Sequence, residues 1–338
     1  MPTLSMKRLV MVSAVLALAA AAVAQPRPGR SGVPRTPWGD PDLQGVWDSW
    51  TFTPLERPRD GSQAPTLTEE EAARGAERGH QRALQTDRAA TPGDPGAYSQ
   101  EVWADRSKAR ALKQPALIVD PPDGRIPPLT PAGPKAAERH RAAGGRPVRI
   151  RTGGVGSDGP EDRGVAERCL VGFSTGPPML PAGYNNNIHV FQTPDYIAIL
   201  LEMNHDARIV PLNGRAHLPS SIRQWMGDSR GRGEGETLVV ETTNFTNKTA
   251  SISLTGFAVG SAERMRLTER FTRVDAQTLS YEFTVTDPAT FTRAFTGRLP
   301  MHLSKAPIYE YACHEGNYGM FNMLTGARAQ ERETGGSR

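Results

Sequence analysis

Cysteine is nearly absent from this chain: Cys169 and Cys313 are the only two in 338 residues. That excludes a scaffold held mainly by disulfides. No H-x-H, H-E-x-x-H or C-x-x-C spacing occurs, so no set of metal ligands is pre-spaced, and no metal or other cofactor is expected. A P-loop and a G-x-G-x-x-G turn are also missing, which leaves nucleotide and dinucleotide cofactors without a sequence signal. Lysine and arginine form no clustered stripe, so nucleic acid is a poor partner. After the N-terminus no apolar run is long enough to cross a bilayer. One apparent motif fails on context. "GFSTG" (172–176) matches G-x-S-x-G, but Pro177-Pro178 follows, where a nucleophile elbow needs a helix.

The N-terminus has the three parts of a secretory signal. Lys7 and Arg8 precede the apolar run "LVMVSAVLALAAAAVA", and Ala22-Val23-Ala24 supplies a small-x-small cleavage site. Cleavage after Ala24 removes two of 40 basic residues and no acid. The mature chain then carries 38 Lys+Arg against 36 Asp+Glu, about +2. A periplasmic or secreted location follows, and in an oxidising compartment two lone cysteines are expected to pair as Cys169–Cys313. Two buried thiols, or a metal site recruiting His314, are the alternatives.

High glycine and proline (34 and 29 residues) point to a β-rich, loop-rich chain. Residues 25–165 read as an extended and helical region packed on a barrel formed by 166–338. Thr68 and Glu71 form a capping box at the head of "TEEEAARGAERGHQRAL". A second helix is expected over "SQEVWADRSKARALKQ" and a third from Thr130-Pro131, with a short strand at "LIVD" between them. From 166 the pattern alternates as strands with short turns: "NIHVFQ–TPD–YIAILLEM", "SRGRGEGETLVVETTNF" and "MRLTERFTRVDAQTLSYEFTVTDP". This many consecutive hairpins predicts an antiparallel β-barrel or a strongly curved sheet, with the N-terminal helices outside it and a short C-terminal helix.

Strand parity then picks out polar groups pointing inward. With the turn at 275–277, Glu269 faces Phe283 and shares a side with Phe271 and Tyr281; a carboxyl among aromatic rings is a candidate general acid or base. With the turn at 204–206, Glu202 faces Arg208, a buried pair that either anchors a substrate or only braces two strands. His205 and His314 are the other catalytic candidates. Tyr318 and the rings of Phe271, Tyr281 and Phe283 are candidates to line a ligand.

The motifs "PDLQGVW", "HDARIVPLNGR" and "YACHEGNYG" resemble a large family of uncharacterised exported proteins abundant in acidobacteria and other environmental bacteria. The likeness runs along nearly the whole mature chain and implies export without implying a reaction. Gly45-Val46-Trp47 also fits the G-x-W that opens lipocalin-type barrels, which implies a calycin-like barrel around a ligand. Two functions follow as expectations. One is binding of a small, largely apolar molecule. The other is cofactor-free catalysis (isomerase, lyase or hydrolase) using an inward Glu or His.

Overall fold

The computed structural model describes residues 32–59, 66–86, 110, 112–132, 156–172, 176, 178–254 and 257–334. The signal segment and the cleavage site therefore lie outside the described residues.

The chain is mainly β. Strands β1 (Gly45–Asp48), β2 (Ile118–Asp120), β3 (Asn187–Gln192), β4 (Tyr196–Leu201), β5 (Ala207–Pro211), β6 (Asp228–Glu234) and β7 (Thr237–Thr243) come first. Then follow β8 (Ile252–Leu254), β9 (Phe257–Val259), β10 (Arg266–Arg273), β11 (Thr278–Thr286) and β12 (Phe295–Ser304). Ten of them make one antiparallel sheet in the order β5-β4-β3-β1-β12-β11-β10-β7-β6, with β2 also paired to β12. β8 and β9 form a separate ribbon. The segment before residue 166 thus contributes two strands to this sheet, and β1 sits in its middle.

The sheet is strongly curved and does not close. Its edge strands β5 and β6 come within van der Waals reach: a Cβ on Gly231 would lie 2.6 Å from Leu212 Cδ2 and 2.9 Å from Val210 Cγ1. No backbone ladder joins them. The closed barrel expected from the hairpin count is therefore corrected to a curved sheet whose edges meet through side chains.

Alternation fills the concave side. Every second residue of β10 and β11 is buried, and Leu267, Phe271, Leu279, Tyr281, Phe283 and Val285 join one core. Burying a large side chain of this kind contributes about 1.5–3 kcal/mol. Trp47 is fully buried among them, its indole N–H donating to Leu43 O at 2.9 Å. The Arg273 guanidinium lies 4.7 Å over its ring and donates to the carbonyls of Asp42, Asp275 and Ala276, plugging that end.

The β10–β11 register is the expected one: Glu269 opposes Phe283, Phe271 opposes Tyr281 and Leu267 opposes Val285. The β4–β5 register is not. Arg208 opposes Ile199, and Leu200 opposes Ala207. Leu201 N–H bonds Asp206 O, closing a four-residue loop over 202–205 in which Asn204 and His205 take positive φ (62° and 52°). This turn differs from a 204–206 turn by an odd number of residues, and an odd slip moves the side chains to the opposite face. Glu202 and Arg208 are therefore not partners.

The Thr68 capping box is present: Thr68 N–H donates to Glu71 Oε2 (2.8 Å) and Glu71 N–H to Thr68 Oγ1 (3.2 Å). It starts the helix Glu69–Thr86. The second expected helix is not seen where it can be judged, because 112 is irregular and 113–117 form bends; 99–109 and 111 fall outside the described residues, as does the body of the third. The C-terminal helix runs Tyr318–Glu333 with Asn317 as its cap, Oδ1 accepting from Met320 N–H at 3.2 Å. The bond Cys169–Cys313 joins the segment ahead of this helix to the loop before β3, with the Cα atoms 5.7 Å apart. No helix among the described residues is long and apolar enough to cross a membrane.

Candidate functional site

Five of the sequence-chosen residues meet on the concave side. Arg208 reaches from β5 to Glu269 on β10, donating from Nη1 to Oε1 (3.0 Å) and from Nη2 to Oε2 (2.5 Å). Tyr281 Oη donates to Glu269 Oε1 (2.8 Å) and accepts from Met179 N–H (3.0 Å). Ser229 and Thr242 hydroxyls complete the cluster at 3.4 and 3.3 Å from Arg208 Nη2. Phe271 and Phe283 flank the tyrosine ring at 5.1 and 5.9 Å between centroids.

This cluster is sealed. The side chains of Arg208 and Glu269 are 2% and 0% exposed, and Tyr281, bonded by Met179 from the segment leading to β3, is fully buried. Burial by itself would push the Arg208 guanidinium down, but the Glu269 carboxylate outweighs it and holds Arg208 above its ordinary value. Burial, reinforced by the Glu269 charge, pushes the Tyr281 phenol well above 10.0 and keeps it a neutral donor. A carboxylate already committed to a guanidinium and a phenol, with no route to solvent, is a bracing group. It fits a general base poorly.

The remaining candidates are scattered. Glu202 is buried at the end of β4, where Oε2 accepts from Asn187 N–H and its side-chain amide, and Oε1 from Tyr309 N–H at 3.4 Å. It pins the chain after β12 to the sheet. His205 and His314 are exposed, and Tyr318 is 72% exposed. No cluster of three or more His, Cys, Asp or Glu suited to a metal is found among the described residues.

The open concavity lies elsewhere. A cleft of about 650 Å3 runs between the helix Glu69–Thr86 and the irregular segment 52–59. Its apolar lining includes Phe52, Leu67, Ala72 and Leu112, and six arginines against two glutamates line it. Both acids are engaged. Glu56 accepts from Ile126 N–H (2.8 Å) and pairs with Arg125 (3.5 Å), and Glu71 closes the capping box. Arg74 and Arg78 stand one helical turn apart and have no carboxylate within 4.0 Å among the described residues.

The helix is unusual in its glycines, each about 1 kcal/mol worse than alanine inside a helix. Gly79 has a packing reason, because a Cβ would sit 2.6 Å from Phe52 Cγ. Gly75, on the cleft wall, has none: the nearest atom to a Cβ there is Arg78 Nη2 at 4.0 Å. The sequence did carry this signal, as the Arg-Gly pairs of "ARGAERG" repeat at helical spacing. A polar helix reads first as solvated cover, which masks the pattern.

No family model matches this chain, and no curated protein matches its sequence.

Proposed function

We propose that this is an exported binding protein that holds a small molecule with an apolar portion in the cleft between the helix Glu69–Thr86 and the segment 52–59. One observation carries the reading. The cleft, at about 650 Å3, has the size of a small-molecule site and an aromatic ring in its lining, whereas the acids and rings of the sheet interior are consumed by one another. The interior braces the fold and the helix supplies the recognition surface. Native mass spectrometry of protein purified from its own periplasm tests this. A copurifying small molecule, lost when Gly75→Leu fills the cleft, is the expected result. The same ligand retained in that variant sinks the assignment.

A second reading, acid–base catalysis, has one observation in its favour. His217 Nδ1 lies 2.8 Å from Asp228 Oδ2, and buried Asp228 also accepts from Leu218 N–H and Arg230 Nη1. A carboxylate that fixes the imidazole in this way leaves Nε2 as the basic nitrogen. Turnover of any substrate that disappears in His217→Gln but survives Gly75→Leu would move the assignment to this dyad.

A further inference from the structure

We infer that the cleft selects anions: its ligand is a small amphipathic acid, a carboxylate, sulfonate or phosphate ester, whose charged group lies between Arg74 and Arg78 and whose apolar body lies on Phe52. This rests on the cleft being the binding site and adds the chemical class of what it takes.

Three features of the cleft converge on it. First, Arg74 and Arg78 are like charges four residues apart on one helix face, a mildly repulsive pair that an anion bound between them would relieve. Glu70, a turn before Arg74, attracts it electrostatically from beyond 4.0 Å, so that its charge offsets Arg74 only in part, and Glu71 and Glu56 are engaged elsewhere. Second, Gly75 sits between the two arginines with open space where its side chain would be, so a ligand can approach the helix backbone under the Arg78 guanidinium. Third, the Phe52 ring packs edge-on against Trp50, 5.2 Å between centroids, and lies 6.5 Å from His80. Trp50 Nε1 and His80 Nδ1 are buried without a hydrogen-bond partner among the described residues. Guanidinium groups suit planar and tetrahedral oxyanions because their paired N–H groups donate in parallel. An aromatic ring lining the same cleft as two such groups matches a molecule with one charged end.

The probes are 8-anilinonaphthalene-1-sulfonate, which has an aromatic body and one anionic group, and its uncharged relative N-phenyl-1-naphthylamine, each titrated by fluorescence into the full chain. The sulfonate is expected to bind at one site. Its affinity should fall about tenfold or more in Arg78→Gln and in Arg74→Gln, and again as salt rises from about 0.05 to about 0.5 M. The uncharged probe should bind the wild type and both variants alike. Arg78→Gln should also melt slightly higher than the wild type without ligand, because it removes the like-charge pair while keeping a good helix former. A structural arginine would do the reverse. If both probes bind, Gly75→Leu displaces both and the arginine variants discriminate neither, the cleft stands as the site and the anion preference is wrong. If Gly75→Leu displaces neither, the cleft assignment falls and the anion inference falls with it.

Discussion

Replacing Glu269 by Gln is the sharpest test of the sealed cluster, because it removes one charge and almost no volume. In the native protein both carboxylate oxygens accept, from Arg208 Nη1 and Nη2 and from Tyr281 Oη. The amide keeps one acceptor and turns the other position into a donor aimed at a donor. Arg208 is then a buried cation whose remaining neighbours in the cluster are the Ser229 and Thr242 hydroxyls. Breaking a buried pair from one side costs about 3–5 kcal/mol, a large share of a total stability of about 5–15 kcal/mol. Urea unfolding followed by tryptophan fluorescence should show the midpoint fall with the slope unchanged. The double variant Arg208→Met/Glu269→Leu should lose less than the single one. It removes both charges and leaves only the Tyr281 hydroxyl short of an acceptor, about 1–3 kcal/mol. A Glu269→Gln midpoint within about 0.5 kcal/mol of the wild type would refute the claim that this carboxylate is the counter-ion, since that is the scatter of neutral surface changes.

Other consequences can be checked alongside. Breaking Cys169–Cys313 by Ser substitution frees a loop with a sequence separation of 144 and should cost about 5 kcal/mol in the chain-entropy model; a midpoint shift under about 1 kcal/mol would argue against it. The raised Tyr281 pKa means the unfolded chain loses this proton near pH 10 while the native one keeps it. The Tyr281 contribution to stability should therefore be fully present below about pH 10 and fall above it, with a shallower alkaline decline in Tyr281→Phe. His302 is depressed, first by burial and then by Arg110, so its contribution is present above about pH 6.5 and is lost as pH falls below that; His302→Gln should flatten the acid limb of stability against pH. N-terminal sequencing of exported protein should begin at Gln25, and finding residues 1–24 still attached would end the assignment of cleavage after Ala24.

What the sequence disclosed followed from where the chain obeys simple periodicities. β10 and β11 alternate without a bulge around a tight turn, so Glu269, Phe271, Tyr281 and Phe283 were placed on one face with their cross-strand partners. The Thr68–Glu71 box marked a helix start because both reciprocal bonds are local. Arg208 was assigned the wrong partner for a reason of turn chemistry. The two residues at positive φ, Asn204 and His205, set the loop length, and no hydrophobic pattern reports that. Its real partner is 61 residues away, a separation no local rule reaches. The cleft stayed hidden because it depends on Phe52 meeting the backbone at Gly79, a contact between two segments that look independent in sequence.

The unclosed edge between β5 and β6 gives the molecule a seam. Most neighbouring strands are zipped by backbone bonds, but across this line Val210 and Leu212 pack on Gly231 and the polar fastening is Arg208, which leaves β5 and bonds groups on β6, β7 and β10. A backbone ladder opens one rung at a time, whereas a single latch releases all at once. Amides along β5 and β6 should therefore exchange their protons together when that latch lets go, as one cooperative unit separate from the sheet's middle. Whatever loosens the guanidinium should widen the seam, so a side chain sealed inside the fold governs how far its two edges can part.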